Sequence, residues 1–175
     1  DTEKDAKRTV DDVRRKIREW EERLKKIVEE VKELVRELVE RAKRLDEETE
    51  REAREAKDID DDTLRKLKEK VERENRKSRK ELEEIERRIE KLLEDMTEED
   101  KKLEKEIRDI LRDLRRRGVP EEVIKELEDL LRRLHEESKR VLDTLRRILE
   151  ELRDRVRRSN KRNEEIVKEL EDRSR

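Results

Sequence analysis

The chain has 175 residues, 63% of them charged and 28% hydrophobic, and 56 acids against 54 Lys plus Arg leave a formal net charge of -2. The signs alternate along the sequence, so there is no basic field to hold nucleic acid and no acidic tail. With no cysteine, disulfides and thiolate chemistry are excluded, and no apolar run approaches the ~20 residues a membrane span requires.

So polar a composition would suit a disordered chain, but the apolar residues recur on a helical schedule. Between them lie Glu, Lys and Arg, all good helix formers. The length predicts one domain over 1–175. The start at Asp1 rather than a methionine reads as a processed chain, with a tag or leader removed. No targeting signal is visible. The expectation is a soluble protein from recombinant cytoplasmic expression, with no native compartment specified.

The first predicted helix runs from about residue 2 to 57. Its stripe is Val10, Val13, Ile17, Trp20, Leu24, Ile27, Val31, Leu34, Leu38, Leu45, then Thr49 and Ala53. A second line, Val28, Val35, Val39 and Ala42, flanks it, as in a core-facing bundle helix. A tight turn is expected near Asp58 to Asp61, with Ile59 tucked under the bundle end and the aspartates capping the next helix.

The second helix is predicted over about 61–117, with a stripe of Leu64, Leu67, Val71, Leu82, Ile85, Ile89, Leu92, Met96, Leu103, Ile107, Ile110 and Leu114. Thr97 and Asp100 resemble a capping pair, which would break this helix. Met96, however, stays in phase with Leu103, so the spacing predicts continuity. Gly118-Val119-Pro120 holds the only Gly and the only Pro. Gly at C′ closes a helix in the left-handed conformation, and Pro at N1 opens the next.

The third helix is predicted over 120–173. Its stripe is Val123, Leu127, Leu130, Leu134, Ser138, Val141, Leu145, Ile148, Leu152, Val156, Ser159, Asn163, Ile166 and Leu170. Ile124, Leu131, Leu142, Leu149 and Val167 flank it. Matched helices with short turns pack antiparallel. The expected fold is all-α, an up-down-up three-helix bundle or coiled coil, a rod of ~80 Å at ~1.5 Å per residue.

Polar residues on the stripes are the candidate site. Residues of the first two helices face each other when their numbers total about 120, and those of the last two when they total about 238. Asn75, Ser78, Ser159 and Asn163 then share one layer, with Thr49 a turn away. A buried amide without a partner costs ~1–3 kcal/mol, so such a layer penalises register shifts. The competing reading leaves these residues part-exposed near a frayed end. A possible second layer joins Trp20, whose indole N–H needs an acceptor if buried, to Asp100 or Ser138, with His135 a turn away. In the plainer alternative, Trp20 is a core anchor and His135 is half exposed.

Other chemistry is missing. One histidine cannot build a His-Glu-x-x-His zinc site or a di-iron bundle, and one glycine cannot cradle a phosphate. The carboxylates alternate with cations at helical spacing and read as solvated pairs. One aromatic residue offers no platform for stacking bases. No catalytic residue, metal or cofactor is expected.

The segment Arg18-Glu19-Trp20-Glu21-Glu22-Arg23-Leu24, on the first of three long helices, resembles spectrin-type repeats. These helices are longer, and repeats of that family end in a helix that enters the next repeat. Over its whole length the chain more closely resembles computationally designed helical bundles. The resemblance lies in the lack of Gln, Phe, Tyr and Cys, the near-equal helices, the Gly-Val-Pro-Glu-Glu loop and the Glu/Lys/Arg surface. It implies deliberately placed hydrogen-bond networks and no natural substrate. The expected function is a thermostable scaffold, monomeric and needing no partner. The alternative is an interaction module or self-associating bundle, three helices awaiting a partner helix along the flanking lines.

Overall fold

The computed structural model describes residues 2–55 and 60–174, so the turn expected at Asp58 and Ile59 lies outside the described residues. Three helices result: α1 (Thr2–Glu55), α2 (Asp61–Arg116) and α3 (Glu121–Ser174), with no strand among the described residues. Each opens with acids in its first turn and ends with a cation in its last, as the helix dipole favours.

Helix α2 passes unbroken through Asp95 to Asp100, and Met96 is buried. The Thr97 hydroxyl donates back to the Leu93 carbonyl at 2.8 Å, a bond of mid-helix threonine, and caps nothing. The start of α2 is capped by Asp60. Its Oδ1 accepts the Thr63 amide at 2.8 Å while its carbonyl accepts the Leu64 N–H at 3.1 Å.

The turn between α2 and α3 is a Schellman motif. The Gly118 N–H donates to the Arg115 carbonyl and the Val119 N–H to the Leu114 carbonyl, at 3.1 and 3.2 Å, with Gly118 at φ 72°. Val119 is buried with Leu114, the apolar contact that accompanies this motif. One boundary differs from expectation. Pro120 is the cap rather than N1: its carbonyl accepts the Val123 and Ile124 N–H groups at 3.0 and 3.4 Å, and α3 starts at Glu121. A residue without an N–H suits both positions, and only the bonds separate them.

The chain divides into two compact units, each drawing on all three helices: Asp1–Glu30 with Ile89–Arg146, and Val31–Arg88 with Arg147–Arg175. In the first, Val13, Ile17, Leu24, Met96, Ile107, Leu127 and Leu134 belong to one core. Ion pairs show the helix directions. Lys16 meets Glu106 and Arg23 meets Glu99, so α1 and α2 are antiparallel. Arg14 meets Glu126 and Glu21 meets Arg133, so α1 and α3 are parallel.

The second unit has the same directions. Arg41 pairs with Glu81, Glu50 with Arg162, and Lys68 with Glu171. Leu64, Leu67, Val71, Val167 and Leu170 form a core cluster there. Along α3 the deepest line differs from the expected stripe. Ile124, Leu131, Leu149 and Val167 are buried, whereas Val123, Leu130, Ile148 and Ile166 are half-buried. Similarly in α2, Leu111 is buried beside half-buried Ile110. Adjacent apolar residues sit ~100° apart on a helix, and which one points inward depends on where both neighbouring helices lie.

Candidate functional site

The stripes of apolar residues are interrupted in two places by buried polar side chains, one in each unit. In the second unit Asn75 and Asn163 are 0% exposed, and Thr49 and Ser159 are buried too. Each holds a seam slot, so the packing that buries the neighbouring leucines buries these as well.

Two of the four, Ser159 and Asn163, bond to a residue outside the expected set. Asp46 Oδ1 accepts the Ser159 hydroxyl at 2.5 Å and the Asn163 amide at 3.0 Å. Both are charge-assisted bonds from α3 to α1. Asn75 donates instead to the Asn160 carbonyl at 3.3 Å, joining α2 to α3. The Thr49 hydroxyl turns back on its own helix, to the Leu45 carbonyl at 2.9 Å. Ser78 is half-buried and lines a shallow cleft with Arg41, Leu45 and Glu81. The residues do share a region of the unit, but they form two separate links rather than one network. Sequence reading missed Asp46; the one signal it offered is that it extends the flanking line Val35, Val39, Ala42 by one step of four, an acid in an apolar series.

In the first unit a relay crosses all three helices. The Trp20 indole N–H donates to Ser138 Oγ at 3.2 Å, and the Ser138 hydroxyl donates to Asp100 Oδ1 at 3.1 Å. Burial pushes the Asp100 carboxyl above its ordinary 3.8, and the Ser138 bond opposes part of that rise. His135 is not in the relay. It is exposed, and its Nε2 lies 3.2 Å from Glu104 Oε1.

Around these layers the surface is a lattice of ion pairs. The Arg153 guanidinium grips both Glu86 oxygens, at 3.0 and 3.3 Å, in bidentate geometry. Among the described residues there is no group of three or more His, Asp or Glu placed to hold a metal ion. No helix among them is long and apolar enough to cross a membrane. The bonds of both layers run mostly from one helix to another.

No family model and no curated protein matches the chain. A solved structure described as a computationally designed three-helix bundle is similar to it, with a TM-score of 0.50 and 18% identity, covering 97% of this chain and 79% of that one. The chain is a three-helix bundle. At that identity the likeness bears on the fold alone.

Proposed function

We propose that this three-helix bundle is a designed structural scaffold, whose buried polar layers select one register of helix pairing. The observation that carries this reading is where the buried polar groups go. Trp20, Ser138 and Asp100 are bonded across helices, as are Asp46, Ser159 and Asn163. A shift of α3 by one heptad would move Ser138 and Ser159 away from their partners and put leucine beside carboxylates. Alternative registers are thereby penalised more than the native one is stabilised.

A monomer fits this reading. Among the described residues no large hydrophobic side chain is exposed; of the flanking lines Leu131 and Leu149 are buried within the chain, and Val28, Val35, Val39 and Leu142 are half-buried. A partner helix would gain little apolar contact. Sedimentation equilibrium tests the point directly: the single-chain mass of 21.7 kDa is expected across the concentration range. A concentration-dependent dimer would favour the interaction-module reading in its place. Register selection is tested by replacing Asp46, Asn75, Ser159 and Asn163 together with apolar residues of fitting size. The variant should be at least as stable as the parent but populate more than one helix pairing, seen as extra cross-links between cysteines introduced on α1 and α3. One unchanged cross-link pattern would remove the polar layer as the register-setting element.

A further inference from the structure

Two amide oxygens in the second unit are fully buried without a donor. Asn75 Oδ1 and Asn163 Oδ1 accept no hydrogen bond from a protein group, and both side chains are 0% exposed. Buried carbonyl oxygens in folded proteins are nearly always paired, so each such atom calls for a partner.

Turning the amides over does not supply one. Asn75 Nδ2 donates to the Asn160 carbonyl and Asn163 Nδ2 to the Asp46 carboxylate, at 3.3 and 3.0 Å. Exchanging N and O in either residue would set oxygen against oxygen. The two orphans also belong to one level of the unit. Asn75 is tied to Asn160, and Asn163 stands three residues further along α3, ~4.5 Å of helical rise. Asp46 is held from Ser159 and Asn163, the same turn.

The accounting of protons points to the occupant. Neither amide oxygen has a protein donor, so the layer has two unfilled acceptors. Water brings two donors. We infer that the polar layer of the second unit binds an internal water molecule that donates to Asn75 Oδ1 and Asn163 Oδ1. Waters of this kind make about three such bonds to buried groups that side chains leave unmatched. A cation fits the site less well. Asp46 Oδ1 is already taken up by two donors. The inference is independent of whether the layer selects register, because it rests on hydrogen-bond balance alone.

The test is a water-to-amide NOE and ROE measurement on the whole ¹⁵N-labelled chain. Cross-peaks of opposite sign from water to the side-chain amides of both Asn75 and Asn163, the mark of a long-lived bound water, are expected. They should be unchanged when sodium is replaced by potassium or calcium is added. In Asn163→Leu the cross-peak at Asn75 should disappear, and the parent measurement stands alone if that variant does not fold. The inference is overturned by the lack of a long-lived water signal at both amides, which would accompany a direct Asn75–Asn163 amide pair. Side-chain shifts that saturate with an added cation would overturn it equally, by giving the site to an ion.

Discussion

At the level of single residues, the polar side chains inside this bundle matter through what they leave behind when altered. Ser138 is both acceptor for Trp20 and donor to Asp100. Ser138→Ala strands two groups at once, and unfolding in guanidinium should show a loss of ~1–3 kcal/mol for the indole N–H, with a smaller one for the part-exposed carboxylate. Asp100 gives a second prediction. Because burial raises its pKa in the folded chain, the folded state holds that proton more tightly than the unfolded state does. Its effect on stability is therefore most favourable below the ordinary value of 3.8 and declines as pH rises through the raised value. Asp60 has the opposite sign. The Thr63 hydroxyl and then the Thr63 amide hold its carboxyl down, so its contribution is present above 3.8 and lost as pH falls below it. Subtracting pH-dependent denaturation curves of Asp100→Asn from those of the parent should isolate the Asp100 slope. No difference in slope would show that the relay carboxylate titrates normally.

Each helix is long enough that its ends contribute a modest share, yet those ends decide where the chain reverses. Gly118 sits at φ 72°, and nothing lies within 4 Å of the position a Cβ would take. Gly118→Ala should therefore destabilise through backbone conformation alone, by about 1 kcal/mol, without a clash to relieve. Thermal denaturation monitored by circular dichroism checks it, and a neutral result would mean that the turn adopts another form. Within the second unit, Asp46 binds two donors of α3 whereas the Asn75 side chain makes one bond to a protein group, a helical carbonyl. Asp46→Ala should accordingly cost more than Asn75→Leu, at ~1–3 kcal/mol for each donor left buried and unpaired. Paired denaturant titrations give the order, and the reverse order would displace Asp46 from the centre of that layer.

For the molecule as a whole, stability comes from three long amphipathic stripes made of good helix formers with local contacts. Such consistency between propensity, pattern and packing predicts helical circular dichroism that persists to about 90 °C, the range called hyperstable. A cooperative melt near the temperatures of mesophile domains would contradict the scaffold reading. The many ion pairs on the surface add little to this, since exposed pairs contribute ~0–1 kcal/mol each. Raising ionic strength should thus shift the denaturation midpoint only slightly.

The three helices, the Gly-x-Pro turn and the continuity of α2 through Met96 were all legible in the residues. Periodicity, caps and turn signals are local, and a helix carries them within a few residues of chain. Matched helices fix heights to within a turn, which put Asp100 and Ser138 level with Trp20; only the packed structure chose Ser138 as the indole's acceptor. Which of two adjacent apolar residues is deepest was not legible, so Ile124 displaced Val123 and Leu131 displaced Leu130. Nor was the choice of Asp46 over Ser78 as the partner of Ser159 and Asn163. Periodicity places a residue on a face to within ~100° of rotation, whereas a hydrogen bond requires heavy atoms within about 3 Å. That last adjustment of rotation and height arises only when three helices pack together, and it decides which polar atoms meet.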